Sequence, residues 1–335
     1  MSLFLGIDGG GSKTSFILLE ESGRICARHR EGSASYLELG LDGLQALLTR
    51  GVQSLMQQAD ARTDELSYAF LGIPCYGEDS SLIARLDALP RGVLPERSWT
   101  CGNDVVCGWA GALAGKDGIN VVAGTGSIAY GEREGHCARA GGWGELFSDE
   151  GSAWWIVREG LAAFAKMSDG RIPRTDIYQR MRSHFALDAD LDLCAAIHAL
   201  CERGRSGFAA LAPLITAAAD AGDPAARGIL QHAARELADL VCAVHARLPD
   251  PGVMPVLVSW SGSLFGVPQL LQAFHAELGS LPKFTLRAPR FPPDVGAALH
   301  AARLSGGALT DAAVAALEAS SQGGSQSAAA ATAAR

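Results

Sequence analysis

A run of three consecutive glycines between two apolar segments is the strongest chemical signal in the sequence. Glycines let the backbone approach phosphate oxygens closely and point successive N–H groups at them. The run is neither a Walker A loop nor a dinucleotide fingerprint, because it lacks a Gly-Lys pair and a strand follows it instead of a helix. A hairpin without a ligand is the alternative, although a two-residue hairpin turn does not need three glycines. The predicted phosphate-binding residues are Gly9, Gly10, Gly11, Ser12, Lys13 and Thr14.

Asp8, at the end of the first predicted strand, is the candidate metal ligand. A carboxylate beside a phosphate-binding turn can hold Mg²⁺ through water, because Mg²⁺ gives up its hydration reluctantly. Asp side chains also accept hydrogen bonds from the N–H groups of their own turns. The two roles are compatible, and we predict that Asp8 holds Mg²⁺.

Two later turns offer further backbone N–H groups. Gly124, Thr125, Gly126 and Ser127 form a second glycine turn, which together with the first predicts a site for a polyphosphate. A third candidate contact comes from the pair that follows the apolar strand 256–260. For that pair, an ordinary strand-to-helix turn with a serine N-cap accounts for the residues at least as well. The pair consists of Gly262 and Ser263.

Two aspartates lie at the starts of predicted helices. Asp104 follows Asn103 at the carboxyl end of a strand, where α/β sheets place their ligands. Asp149 lies before the helix-rich part of the chain. For both residues, N-capping of the following helix is the alternative to a chemical role.

Regular elements must position these groups. In the first part of the chain, the apolar patterns predict the order βββαβαβα, which is typical of an α/β lobe with a mixed sheet. The predicted strands there are 3–8, 14–19, 24–30, 66–73 and 98–102, and the predicted helices are 41–59, 80–89 and 105–114. The pattern then restarts, with predicted strands 118–123, 128–132, 136–140, 256–260 and 283–287, a helix-rich stretch 149–248, a helix ending near 278 and a last helix 293–304.

The two glycine turns, each flanked by strands, form a weak internal repeat. Such a repeat predicts two related lobes, and the cleft between lobes is a common place for a small-molecule site. We expect an N-terminal lobe 1–116 joined by the helix 293–305, and a C-terminal lobe 117–292. The Ala- and Ser-rich segment 306–335 is predicted to be a tail with one short helix.

Length and composition restrict the class of protein. The chain has 335 residues, more than one hydrophobic core usually serves, so two domains are expected. Its net charge of −8 disfavours nucleic acid and membrane partners. Its eight cysteines form no C-x-x-C pair, so we expect free thiols in a reducing compartment. The N-terminus shows no signal peptide and no apolar stretch approaches the ~20 residues of a membrane helix. These features predict a cytoplasmic protein.

The ordered set of motifs resembles the N-acetylglucosamine and glucosamine kinases, in the BadF/BadG-type ATPase branch of the actin/hexokinase/heat-shock ATPase superfamily. The resemblance rests on the two glycine turns, on Asn103 with Asp104, and most specifically on Gly-Gly-Trp-Gly at 141–144 followed by Ser-Asp-Glu-Gly-Ser-Ala at 148–153. It extends to the Gly296 helix and covers most of the chain. It implies an α/β fold of two ribonuclease-H-like, actin/hexokinase-type lobes with a central cleft.

The resemblance also implies roles. Asp104 would orient and deprotonate a sugar hydroxyl during transfer of phosphate from ATP with Mg²⁺, and Asn103 and Asp149 would bind the acceptor. Gly141 and Gly142 would contact the sugar ring through their backbones. The implied reaction is phosphorylation of an amino sugar at the 6-hydroxyl, with N-acetylglucosamine as the first candidate and glucosamine as the second.

One departure from the family bears on specificity. Ser35 takes the place of the family's sugar-loop asparagine, and its shorter side chain lacks the paired donor and acceptor of an amide. The preferred amino sugar and the oligomeric state stay open, with a homodimer as the expectation. Trp154 and Trp155 are expected to pack in the core.

Two other functions remain as alternatives. An ATPase that activates a partner dehydratase would need cysteines to bridge an iron–sulfur cluster, and no pair here has an obvious cluster spacing. A non-catalytic sugar sensor is the second, because fold does not fix function.

Overall fold

The computed structural model describes residues 2–202, 204–249, 252 and 254–320. The chain forms two compact units. Unit 1 comprises Met1–Lys116 and Ala288–Arg335, and unit 2 comprises Asp117–Arg287. Every helix in the described part of the chain is either too short or too polar to serve as a membrane span.

The elements alternate as the apolar patterns predict. The strands are β1 (Leu3–Gly9), β2 (Thr14–Glu20), β3 (Ile25–Glu31), β4 (Leu66–Ile73), β5 (Trp99–Asn103), β6 (Gly118–Ala123), β7 (Ser127–Arg133), β8 (His136–Gly141), β9 (Val256–Ser261) and β10 (Phe284–Leu286). The helices are α1 (Tyr36–Ala59), α2 (Ile83–Ala88), α3 (Val105–Leu113), α4 (Ala153–Ser168), α5 (Asp176–Phe185), α6 (Asp192–Cys201), α7 (Arg205–Ala209), α8 (Ala212–Asp220), α9 (Pro224–His245), α10 (Pro268–Gly279) and α11 (Pro293–Leu304).

The sheet of unit 1 has the order β3-β2-β1-β4-β5. Strands β1 to β3 form an antiparallel meander, while β4 pairs in parallel with β1 and β5 in parallel with β4. The carboxyl ends of β1, β4 and β5 therefore lie at one edge of the sheet. This edge carries Asp8 and Gly9 at the end of β1, Ile73 at the end of β4 and Asn103 at the end of β5.

Helices cover both faces of this sheet. Helix α1 packs its apolar stripe, which includes Leu44, Leu48 and Val52, against one face. Helix α11 packs on the other, so closely that a Cβ on Gly6 of β1 would collide with the backbone of Ala298. Glycine is therefore required in the middle of β1, where a larger residue would push α11 away.

Unit 2 repeats this arrangement. Its sheet has the order β10-β9-β6-β7-β8, with β6 to β8 as an antiparallel meander, β9 parallel to β6 and β10 parallel to β9. Strands β3-β2-β1-β4-β5 of unit 1 correspond in order to β8-β7-β6-β9-β10 of unit 2, so the two sheets have the same topology. A glycine turn follows the first strand of each sheet, β1 and β6. The internal repeat predicted from the two turns is thus present in the fold.

Three local differences from the predicted elements have physical causes. Helix α1 begins at Tyr36 and contains Gly40 at φ 70°, because residues 37–40 are exposed and carry no apolar stripe to predict a helix. The predicted helix 80–89 begins as a 3₁₀ turn, Ser80–Leu82, since the Asp79 carboxylate accepts the Ser81 N–H at 2.9 Å. A further 3₁₀ turn, Ser263–Gly266, precedes α10, because the Val267 N–H donates to the Leu264 carbonyl at 2.9 Å and Pro268 then starts the helix.

Part of the predicted tail belongs to unit 1. Residues 311–320 are helical, and Val314 and Leu317 are buried beside Ile17 and Leu19 of β2. Residues 321–335 lie outside the described residues.

Candidate active site

The first glycine turn joins β1 to β2. The Gly10 N–H donates to the Lys13 carbonyl at 3.0 Å, and the Gly10 carbonyl accepts the Ala34 N–H at 3.0 Å. A Cβ on Gly9 would lie 2.6 Å from the Gly72 carbonyl oxygen, so the approach of β4 requires glycine there. Residues 11–13 are exposed, and Gly11 has open space around it. Their backbone groups are therefore accessible to a ligand.

Thr14 connects this turn to the neighbouring loop. Its side chain is fully buried and its hydroxyl donates to the Gly32 carbonyl at 2.7 Å. Ser35 ends that loop as the residue before α1, and its side chain does not cap the helix. Next to it, the buried Tyr36 donates its hydroxyl to the Cys75 carbonyl at 3.1 Å. The Ser35 loop is thus held beside the loop that follows β4.

Asp8 and Asp104 lie at the same edge of the sheet. Strand β4 passes so close to both that a Cβ on Gly72 would lie 3.1 Å from the Asp104 Cα and 3.3 Å from the Ile7 carbonyl oxygen. Burial raises the pKa of Asp8 to about 7, with further contributions from the charges of Asp104 and Asp294. Burial also raises the pKa of Asp104 to about 6, while nearby backbone N–H groups lower it.

Asp104 occupies the N-cap position of α3, but its side chain makes no capping hydrogen bond. The Asn103 Oδ1 accepts the Val105 N–H at 3.1 Å, whereas the Asp104 carboxylate makes no capping hydrogen bond. The prediction that the Asp104 side chain caps α3 is therefore wrong by geometry, and the Val105 and Asp104 N–H groups act on its carboxylate only by lowering its pKa. The Asn103 Nδ2 donates to the Tyr76 carbonyl at 3.2 Å, so a sugar contact by Asn103 would have to replace one of these bonds.

The second glycine turn, between β6 and β7, is tied to the start of α4. The Gly124 N–H donates to the Gly126 carbonyl at 2.9 Å, and the Gly124 carbonyl accepts the Ala153 N–H at 2.9 Å. The Ser127 hydroxyl donates to the Glu150 carbonyl at 2.6 Å. The Thr125 carbonyl accepts the Trp154 N–H at 3.4 Å.

Asp149 is fixed against this turn. Its side chain is 2% exposed, its φ is 61°, and its Oδ1 accepts the Ser127 N–H at 3.2 Å. Burial raises its pKa, while the charge of Arg205, which pairs with its other oxygen, lowers it. The cap of α4 is Ser152, whose Oγ accepts the Trp155 N–H at 3.2 Å. The capping alternative for Asp149 is therefore wrong as well.

Gly141 and Gly142 follow β8 at φ 73° and 69°, conformations that favour glycine. Both carbonyls accept hydrogen bonds from the Arg139 guanidinium, at 3.3 and 2.8 Å. The contact of their backbones with a sugar ring stays a prediction. The next residue, Trp143, is 69% exposed.

The two neighbouring tryptophans of α4 pack inward. Trp155 is buried in the core of unit 2, and Trp154 packs against that core with its ring 4.9 Å from Phe208. This confirms the predicted core positions.

The third candidate contact is accounted for by packing alone. A Cβ on Gly262 would collide with the carbonyl of Ala123 in β6, so glycine is required there without any ligand. Ser263 is the first residue of a 3₁₀ turn and is not its N-cap, so the predicted capping role is wrong. A phosphate contact at Gly262 and Ser263 stays a prediction.

The donor set fits Mg²⁺ better than a transition metal. Within the described residues, no three or more His, Cys, Asp or Glu side chains are grouped so as to hold a metal ion. Mg²⁺ keeps several waters and needs only one or two carboxylates. Asp8, with its raised pKa and two neighbouring carboxylates, is a group whose ionised form a dication would stabilise.

Sequence reasoning missed Arg205. Its guanidinium pairs with Asp149 and lies 3.3 Å from the Glu145 carboxylate, yet it is far from both in the chain. No local pattern marks such a residue. The eight cysteines form no disulfide; Cys101 and Cys107 are buried, and Cys137, Cys194 and Cys201 are exposed.

Known proteins share this organisation. The profile of the BadF/BadG/BcrA/BcrD ATPase family matches residues 5–301. An N-acetyl-D-glucosamine kinase of Dictyostelium discoideum is 29% identical over 73% of this chain and 80% of its own length. An N-acetylmuramic acid/N-acetylglucosamine kinase of Clostridium acetobutylicum is 30% identical over 82% of this chain and 90% of its own.

Solved structures agree on the fold. A protein of Chromobacterium violaceum, provisionally assigned as an N-acetylglucosamine kinase, superposes with a TM-score of 0.69 at 24% identity, covering 90% of this chain and 99% of its own. The match confirms the predicted α/β fold of two actin/hexokinase-type lobes.

Proposed function

The chain belongs to the BadF/BadG/BcrA/BcrD ATPase family, and from that premise we propose that it phosphorylates an amino sugar at the 6-hydroxyl with ATP as donor. N-acetylglucosamine is the first proposed acceptor and glucosamine the second. The names of the two curated relatives support this substrate class. The observation that carries the proposal is the Asp104 carboxylate, which follows the carboxyl end of β5 and makes no capping hydrogen bond to α3. The Val105 N–H donates to Asn103 instead.

Asp104 is the proposed general base. It accepts the proton of the sugar hydroxyl while the hydroxyl oxygen attacks the γ-phosphorus in line. The new O–P bond forms as the bond between the γ-phosphorus and the β–γ bridging oxygen breaks, and ADP leaves. A pKa of about 6 brings Asp104 closer to the working pH than a free aspartate while leaving it mostly ionised at pH 7.

Both glycine turns are proposed phosphate contacts. In unit 1, residues 11–13 are exposed and bring backbone N–H groups and the Lys13 ammonium. In unit 2, the N–H groups of Gly124 and Ser127 donate within the protein, so the proposed donors to a ligand are those of Thr125 and Gly126. Asp8 would hold Mg²⁺, and the ion would supply neutralisation of the phosphate charge.

The proposed acceptor contacts are a serine, an aspartate and two glycine backbones. Ser35 lies in the loop beside β4, and Asp149, Gly141 and Gly142 lie around the second turn. A carboxylate such as Asp149 accepts hydrogen bonds from sugar hydroxyls. The contacts of Ser35 are expected to be weaker than those of an asparagine, because a hydroxyl offers one donor on a shorter side chain.

A coupled ADP-release assay across hexoses and amino sugars tests this function. We expect ADP release to depend on the sugar, with N-acetylglucosamine or glucosamine as the best acceptor. Equal ADP release with and without every sugar would refute the proposal and favour an ATPase.

Location and assembly are further parts of the proposal. The eight free thiols and the use of ATP support a cytoplasmic site of action. The homodimer stays a prediction, which sedimentation at micromolar concentration would test.

A further inference from the structure

Arg205, the first residue of α7, is the cation beside Asp149, the carboxylate of unit 2 that is proposed to bind the sugar. Its guanidinium pairs with Asp149, and its Nε lies 3.3 Å from the Glu145 carboxylate. Since the other oxygen of Asp149 accepts the Ser127 N–H, both oxygens of this buried carboxylate already have partners. Because Asp149 is almost fully buried, a sugar hydroxyl that donates to the oxygen paired with Arg205 competes with the guanidinium for that oxygen.

The same guanidinium lies against the second glycine turn. A Cβ on Gly126 would collide with the Arg205 Nη2 and would lie 2.9 and 3.0 Å from the two Asp149 oxygens. A glycine at 126 thus leaves room for Arg205 directly at the proposed phosphate-binding backbone. Arg205 is therefore in contact with both the acceptor carboxylate and the phosphate turn.

We propose that Arg205 is a catalytic residue whose guanidinium moves from Asp149 to the transferred phosphoryl group when the acceptor sugar binds. This inference rests on the proposed function. The planar guanidinium carries five donors in a fork that matches two phosphate oxygens, and it stays protonated throughout. Its side chain is 38% exposed and α7 is short, so a guanidinium released from Asp149 has room to reorient.

The exchange would couple the two substrates. Without sugar, the donors of the Arg205 guanidinium are engaged by Asp149 and Glu145, so the charge that develops during transfer is less well stabilised. With sugar, the hydroxyls occupy Asp149 and the guanidinium is free to donate to the γ-phosphoryl oxygens. The acceptor thereby assembles the catalytic site, which limits hydrolysis of ATP by water.

Arg205→Gln tests the proposal through the split between kcat and KM. The assay is ADP release from the full chain with ATP, Mg²⁺ and N-acetylglucosamine or glucosamine. We expect kcat to fall by about 10²-fold, the effect of removing one donor to a developing charge. The acceptor KM should stay the same or fall, because the sugar no longer competes with a guanidinium. Arg205→Lys, which keeps the charge without the fork, should lie between wild type and Arg205→Gln.

Arg180→Gln is the matched control, since Arg180 forms a comparable ion pair with Asp176 inside α5. It should leave kcat and KM unchanged. An Arg205→Gln protein with retained kcat and a tenfold higher acceptor KM would overturn the proposal, since Arg205 would then only hold Asp149 in place. Unchanged kcat and KM would overturn it too.

Two further controls keep the outcomes separate. Should Arg205→Gln fail to fold by circular dichroism, Arg205→Lys carries the test under the same kcat and KM criteria. A wild-type protein that releases no ADP with any amino sugar refutes the proposed function itself. An active wild type with an unaffected variant refutes only the role of Arg205.

Discussion

Asp104→Asn should remove activity and at the same time stabilise the folded protein. The aspartate has its pKa raised from 3.8 to about 6, first because burial disfavours its charged form. Its contribution to stability is therefore complete below pH 3.8 and is lost as the pH rises through about 6. The difference between these two pKa values lowers the free energy of unfolding at pH 8 by about 3 kcal/mol, at 1.36 kcal/mol per pKa unit. Asparagine has nearly the same shape and no charge to desolvate.

Urea or thermal unfolding at two pH values measures this gain without a ligand. At pH 8 the variant should be more stable than wild type by about 2 to 3 kcal/mol, and at pH 4 the difference should be smaller than about 1 kcal/mol. Loss of the Asp104 charge also favours ionisation of Asp8, which adds to the gain at pH 8. Any cost of burying the amide is the same at both pH values, so the change with pH isolates the charge.

Turnover supplies the second half of the test. Loss of a general base costs about 10²- to 10⁴-fold, so we expect kcat with an amino sugar to fall by at least 10²-fold. Asp42→Asn is the control, because Asp42 is exposed on α1. It should change stability by less than about 0.5 kcal/mol and leave kcat unchanged. A well-folded Asp104→Asn protein with near-normal turnover, or one with no gain in stability at pH 8, would refute the reasoning.

Three further predictions concern neighbouring features. Asn103→Ala should lower stability by about 1 kcal/mol, because the Val105 N–H at the start of α3 loses its acceptor. It should also lower kcat more than it raises the acceptor KM. A rise in KM alone in steady-state kinetics would show that Asn103 binds the sugar instead. Gly126→Ala should destabilise unit 2 by about 1 to 3 kcal/mol in chemical unfolding, because its methyl group would lie 2.9 and 3.0 Å from the oxygens of the buried Asp149 carboxylate. Gly124→Ala, with open space around it, should be nearly neutral, and equal effects of the two substitutions would contradict the packing. His300 is buried and its pKa is lowered to about 4, so its contribution to stability should fall by about 2 kcal/mol between pH 7 and pH 5. The stability of wild type relative to His300→Phe, measured by unfolding at these two pH values, should fall by that amount, because the carboxyl groups that titrate in this range are common to both proteins.

The sequence predicts most of the fold because its strands and helices have clear apolar periods. Strands β4 and β6 and helix α11 begin and end where the patterns place them. The glycine run after β1 and the second turn after β6 also appear where expected, since glycine clusters between two apolar strands are typical of tight turns. What local patterns do not contain is the partner of each polar side chain.

The candidate site illustrates that limit. Capping preferences alone do not distinguish Asn103 from Asp104, because both residue types cap helices well and only the backbone geometry shows which side chain reaches the Val105 N–H. Asp149 adopts a left-handed backbone conformation that its sequence neighbours do not predict. Its ion pair with Arg205 depends on how α7 packs in unit 2, a tertiary property without a local signal.

The most direct test of the account is the identity of the product. Phosphorus NMR and mass spectrometry can follow the wild-type protein with ATP, Mg²⁺ and N-acetylglucosamine or glucosamine. We predict one sugar 6-phosphate for each ADP formed, and none with Asp104→Asn. Formation of ADP with inorganic phosphate and no sugar phosphate would contradict the account, as would phosphate on a different hydroxyl.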